Sequence, residues 1–386
     1  MRKTHRTTAI ILGLAGALVA GAALRTHTPS ARAAEVGAQR PIDRSRVQIA
    51  LLLDTSNSMD GLIDQARSQL WRVVNELAAA KKAGHAPAVE LALYEYGKQT
   101  VPAADGFVRR VVPFTTDLDR VSEALFALTT NGGEEYCARA IAEATRGLEW
   151  SASADDLKLI FIAGNEPFDQ GVLDWHDAIR AAKARGIVVN VVHAGAEEER
   201  GWREAARLAG GELVVINQDR KIVAISAPQD AEIEKLSMAM NATYVPYGAA
   251  GAASAERQQA QDANAVAVRQ GANVQRALSK ASAAYNNATW DLVDATAGGV
   301  DPGTVAEADL PEALRGLSPD ARRARIAVAA SLRSALKTRI QTLSAERSAY
   351  VARAEKERGL DGSSTLDAAV IAAVRAQAGK KGFRFE

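Results

Sequence analysis

Apolar residues fill every position from Val47 to Leu53 except Gln48, and the run stops at Asp54. A continuous run of this length predicts a strand buried on both faces of a parallel sheet. Beyond it, Leu62, Ile63, Ala66, Leu70, Val73, Val74 and Leu77 line one helical face, so an amphipathic helix is expected from about Asp60. Gly84 and Pro87 close that helix. VELALYEYG (89–97) predicts a second strand. FVRRVVPF (107–114) predicts a third, antiparallel and at an edge, where Pro113 is tolerated. A short helix over 117–128 and a loop at TTNGGEE (129–135) follow, then a helix over 136–150 with Ala140, Ile141, Ala144 and Leu148 inward. LKLIFIAG (157–164) is a strand, apolar apart from Lys158; helices over 172–185 and 198–209 alternate with strands over 186–195 and 211–217. This alternation, without long gaps, predicts an α/β fold: a mostly parallel sheet with helices on both faces.

From about residue 226 the pattern becomes helical. Ile233, Leu236 and Met240 mark one helix, and YVPYGAAGAA (244–253) reads as a turn and linker. Residues 255–285 carry a modest stripe of Val266, Val274, Ala277, Leu278 and Ala281. Between Pro319 and Ala354, Ala329, Leu332, Leu336, Ile340, Leu343 and Tyr350 recur mostly at three- and four-residue steps, predicting a helix roughly 50 Å long. A short helix over 366–377 ends the series. The stripes allow this region either to pack on the α/β part or to pair with a partner helix.

Asp54, Ser56 and Ser58 stand at alternate positions between the first strand and the first helix. One carboxylate and two hydroxyls thus lie at the carboxyl edge of a sheet, where open α/β folds place their ligands. Oxygen donors of this kind suit a hard divalent cation. A capped helix with no metal uses the same residue types.

The Asp-x-Ser-x-Ser arrangement, after an apolar strand and before an amphipathic helix, resembles the first segment of the metal-ion-dependent adhesion site of von Willebrand factor A domains. The resemblance extends over about residues 47–225 in element order. It implies a Rossmann-like sheet, a bound Mg²⁺ (or Mn²⁺ or Ca²⁺) and a protein partner that offers an acidic side chain. It also implies a Thr ligand before the third helix and an Asp ligand after the fourth strand. Here Gly132-Gly133 aligns with the family's Gly-Gly-Thr, which puts Glu134 at the Thr position, with Thr129 and Thr130 nearby. Ala163 and Gly164 stand where the family has Thr-Asp, followed by Asn165 and Glu166. The expected metal set is therefore Asp54, Ser56, Ser58, Glu134, Thr130 and Asn165, with Asn57, Glu135 and Glu166 facing the partner. A purely structural protein with a decayed, metal-free site is the alternative that Gly164 supports.

Haloacid-dehalogenase phosphatases also begin with an apolar strand ending in Asp, but they need a second Asp where Ser56 stands. With no Ser-His-Asp order, zinc-ligand spacing or phosphate loop in the sequence, a binding protein is expected rather than an enzyme. His176 within DWHD (174–177) reads as part of a polar helix face and His193 as a core or rim residue. Trp71, Trp150, Trp175 and Trp202 fall on expected helices and read as packing against the sheet.

The N-terminus changes the picture of location. Arg2, Lys3 and Arg6 precede an uncharged run from Thr7 to Leu24, and Ala31-Arg32-Ala33 supplies a cleavage site, so residues 1–33 are expected to be a signal peptide. An uncleaved membrane anchor is the other reading of that run. The implied organisation is signal peptide 1–33, linker 34–46, α/β domain 47–225 and helical region 226–386, exported to the periplasm or cell envelope. The 386-residue chain carries a net charge of +1. Removing Arg2, Lys3, Arg6, Arg25 and Arg32 leaves 42 of its 47 basic residues against 46 acidic ones. That balance gives no basis for nucleic-acid binding. Cys137 is the only cysteine and is expected to be a small buried residue.

Overall fold

The computed structural model describes residues 45–195, 200–218, 225–268, 271–359 and 365–385. The expected signal peptide, most of the linker and the expected start of the helix at 198 lie outside them.

The apolar run forms β1 (Arg46–Asp54) and leads into α1 (Asp60–Ala79) and the short β2 (Ala80–Lys81). β3 (Ala88–Tyr96), β4 (Val108–Thr115), α2 (Leu118–Ala127) and α3 (Cys137–Gly147) follow. β5 (Leu157–Gly164), α4 (Trp175–Ala184), β6 (Val188–Ala194), α5 (Trp202–Ala209) and β7 (Leu213–Ile216) complete the alternation. The strands order as β4-β3-β1-β5-β6-β7, and all pairs are parallel except β3–β4. The antiparallel edge carrying Pro113 is thus where the sequence puts it. Because β1 is central, the chain leaves it toward β3 on one side and β5 on the other. Asp54 ends β1 at this switch in strand order, where open α/β folds place their ligands.

Alternation along β1 sends Ile49 and Leu53 to one face and Ala50 and Leu52 to the other. α3, α4 and α5 cover the second face. α1, α2 and a helix from the far end of the chain cover the first.

That helix is α11 (Leu366–Lys380) in the helical series α6 (Asp230–Asn241), α7 (Gly251–Val268), α8 (Ala272–Ala281), α9 (Leu292–Ala297), α10 (Pro319–Arg358) and α11. Leu366, Val370, Ala373 and Val374 are buried in the same core as Ile49, Leu70 and Phe161. Gln377 donates to Asn190 Oδ1 of β6 at 2.6 Å, and Arg72 of α1 pairs with Asp367 at 2.6 Å. The chain then returns to β2 through a two-residue antiparallel strand, β8 (Arg384–Phe385). α7 packs on α2 and α8 on α1. The helical region is therefore continuous with the core of the α/β part, and α11 finishes its helical layer. α10 runs 40 residues, about 60 Å. Among the described residues no helix is long and apolar enough to cross a membrane.

Two regions depart from expectation. The stretch expected to be a linker at 244–253 is folded: Tyr244 stacks on Trp290, and Val245 N donates to Asp291 at 2.7 Å. The span 255–285 breaks into α7 and α8, with Gly271 at positive φ before α8.

Candidate functional site

Asp54 ends β1 fully buried, and its Oδ1 accepts the Ser56 backbone N–H at 2.7 Å. That bond folds the loop back so that the hydroxyls of Ser56 and Ser58 come within 3.4 Å of one another. Asn165, just beyond β5, donates from Nδ2 to Ser58 Oγ at 3.1 Å, which ties the two diverging loops together. Asp54 Oδ2 and Asn165 Oδ1 are buried and have no hydrogen-bond partner.

The loop before α3 supplies the remaining acid. Asn131 N donates to Thr55 O at 2.9 Å, pinning this loop to the end of β1. Gly133 lies so close to Gly97 that a Cβ there would meet the Gly97 carbonyl oxygen at 1.9 Å, an approach only glycine permits. Glu135 emerges from this clasp, 4% exposed, with its side chain beside Asp54. A Cβ on Gly97 would touch both acids, at 2.7 Å from Asp54 Oδ1 and 3.1 Å from Glu135 Cγ. Burial raises both carboxyls above their ordinary range, and Asp54 raises Glu135 further.

The structure turns two adjacent glutamates differently from the expectation. Glu135, expected to face a partner, lies inside the site beside Asp54, whereas Glu134 is exposed and accepts a hydrogen bond from Tyr136 Oη at 3.4 Å. A loop residue carries no periodicity, so which of two adjacent glutamates turns inward is set by the Gly133–Gly97 contact. Thr130 is half-buried, with its hydroxyl donated to Asp60 at 2.5 Å. Thr129 accepts from Lys98 Nζ at 2.7 Å, and that lysine also faces Glu95 at 3.7 Å. Asn57 and Glu166 are exposed at the rim.

Tyr96 is a feature the sequence reading missed. Its hydroxyl donates to Ala163 O at 2.9 Å and would lie 2.4 Å from a Cβ on Gly164. The hydroxyl thereby occupies the space that a side chain at 164 needs. Its pairing partner in β1 is Asp54, a neighbour relation that only strand register supplies. Cys137, as expected, is buried, with Sγ 3.7 Å from Tyr96 Oη.

Residues 48–227 match the family profile described as the von Willebrand factor type A domain. The matched segment, with its sheet and its Asp54 loop, is an A domain. No curated protein matches the chain. Solved structures similar to it include a von Willebrand factor type A protein from Catenulispora acidiphila, at 16% identity and TM-score 0.36, covering 45% of this chain and 39% of that one. The chain thus spans well under half of that relative. A conserved hypothetical protein BatB from Bacteroides thetaiotaomicron is 18% identical with TM-score 0.33, covering 44% of this chain and 90% of that one. The proximal thread matrix protein 1 of mussel byssus is 10% identical with TM-score 0.33, covering 46% of this chain and 43% of that one.

The other residues singled out by sequence have structural roles around the A domain. His193 on β6 is buried, 3.2 Å from the Asn165 carbonyl oxygen and edge-on to Trp202. His176 stacks on Trp175 and pairs with Asp174 at 2.7 Å. Trp71, Trp150, Trp175 and Trp202 are all buried. Among the described residues, no group of three or more His, Cys, Asp and Glu side chains is arranged to hold a metal. A cation in the Asp54 site would depend on hydroxyl and amide oxygens as well as acids.

Proposed function

We propose that this protein is an exported binding module, not an enzyme, which engages a protein partner through a divalent cation at the carboxyl edge of its A domain. One observation carries the reading: Asp54 Oδ2 and Asn165 Oδ1 are buried without hydrogen-bond partners, next to two serine hydroxyls and a second carboxyl. Unpartnered buried oxygens are costly unless something satisfies them, and an oxygen-only set suits Mg²⁺ or Mn²⁺. Asp54, Ser56, Ser58, Asn165 and Glu135 would hold the ion, with Thr130 and Glu134 flanking them. Asn57 and Glu166 would meet the partner. When bound, the cation supplies a coordination position for a partner oxygen; the chain's residues orient it and exclude water beneath it. Export rests on the N-terminal sequence.

A metal-free scaffold is the second reading. It is favoured by Tyr96 filling the space beside Gly164 and by Thr130 being committed to Asp60. Capture from envelope extract by the immobilised protein, with and without chelator, separates the two. A partner retained by the wild type in Mg²⁺ and released by chelator supports the metal-dependent module. A partner held equally under both conditions would sink it.

A further inference from the structure

Within the metal-dependent reading, on which this rests, we propose that Glu135 is the second anionic ligand of the site and replaces the acid absent at Gly164. The loaded site then prefers a neutral partner oxygen, from an amide or a hydroxyl, over a carboxylate.

The position is built rather than incidental. Glu135 is buried, shares the surface of Gly97 with Asp54, and is delivered there by the glycine-to-glycine approach of Gly133. It lies just before Tyr136, the N-cap of α3, where the helix dipole favours negative charge. Its own backbone N–H donates to Gln170 Oε1 at 3.3 Å, fixing it against the β5 loop. The opposite wall has no room for an acid, because a Cβ at 164 already meets Tyr96 Oη. Other acids nearby have partners of their own or face solvent. Glu95 is buried between Arg109 and Lys98, Glu134 faces Tyr136, and Glu166 is exposed beside Gln170.

Asp54 and Glu135 together bring two negative charges when a divalent cation is bound, and the ion's charge is cancelled within the site. With Asp54 as the only anion a net positive charge would remain, and a partner carboxylate would be drawn to it. Cancelling that charge removes most of the advantage of an acidic ligand.

The test uses the full chain with Mn²⁺ alone, following free ion by electron paramagnetic resonance. Wild type is expected to bind; Glu135→Gln weakens affinity at least about tenfold, as loss of a ligating or supporting group does. A control at the opposite, amino edge of the sheet, exposed Glu149→Gln, stays within about twofold of wild type. Glu135→Asp, which keeps the charge on a shorter arm, falls between, and melting of each metal-free variant by circular dichroism confirms folding. Acetate and acetamide are then added to the Mn²⁺-loaded proteins, and water-proton relaxation reports displacement of bound water. Wild type is expected to take acetamide at least as readily as acetate, while Glu135→Gln shifts toward acetate.

A Glu135→Gln protein that binds Mn²⁺ as tightly as wild type overturns the assignment of Glu135 and leaves the metal-dependent reading intact. A wild type that prefers acetate overturns the neutral-oxygen inference. A wild type that binds no Mn²⁺ overturns both.

Discussion

Arg276 on α8 and Asp119 in the first turn of α2 form a buried ion pair, with Nη1 and Oδ1 2.5 Å apart. Tyr285 donates to the other Asp119 oxygen at 2.5 Å, and Arg276 Nε reaches Asp262 at 2.8 Å. The guanidinium lies over the Trp71 ring of α1, 4.3 Å from its centroid. One arginine from the helical region is thus locked to an acid and an aromatic of the A domain, and Asp119 and Asp262 hold its charge firmly on.

Removing one side of this pair leaves the other charge buried and uncompensated. Asp119→Asn and Arg276→Met are each expected to destabilise the protein by about 3–5 kcal/mol. The double variant is expected to cost less than the sum. Urea denaturation of the four proteins measures the coupling; additive losses would show that the pair does not join the two regions.

Asp54 should connect metal to stability. Mg²⁺ or Mn²⁺ is expected to raise the melting temperature of the wild type, by an amount set by its concentration relative to its dissociation constant. A chelator reverses the rise, and Asp54→Ala abolishes it. A melting temperature that does not move in the wild type favours the metal-free scaffold.

Crowding between Gly164 and Tyr96 gives a prediction independent of metal. Gly164→Ala forces its Cβ against the Tyr96 hydroxyl and is expected to cost about 1–3 kcal/mol. Tyr96→Phe removes the obstructing oxygen, at the expense of its bond to Ala163 O. In the Tyr96→Phe background the alanine should therefore cost less. Equal costs in both backgrounds in chemical denaturation would refute the contact.

α11 should be required for a closed core. A chain ending before Leu366 uncovers the apolar face formed by Ile49, Leu70 and Phe161. It is expected to bind a hydrophobic dye and to melt well below the full chain. A truncated protein that melts with the full chain would assign α11 to the periphery.

Lys280 is fully buried, 2.7 Å from Asp262 Oδ2, and burial outweighs that attraction enough to push its ammonium down to about 8. An unfolded lysine keeps its proton to about 10.4. Between these values the unfolded chain binds more protons than the folded one, so the Lys280 contribution to stability rises with pH from about 8 to about 10. Below 8 its burial is a constant cost. The difference in unfolding free energy between pH 7 and 9.5 should be smaller in Lys280→Met than in wild type.

The A domain was legible because its signals are local. The Val47–Leu53 run, the stripe from Leu62 to Leu77 and the alternation that follows each read directly as strands or helices, and the order of elements limits how they assemble. Asp54, Ser56 and Ser58 were legible too, since a strand end and a helix start fix where they sit. What lay beyond reach depended on residues far apart in sequence. Glu135 turns inward because two glycine backbones meet, and Tyr96 faces Gly164 because β1 separates their strands. α11 closes a sheet face more than three hundred residues from Val47 because its short apolar stripe fits the gap beside α1. Periodicity tells which face of an element is apolar; only the packed chain decides what that face meets.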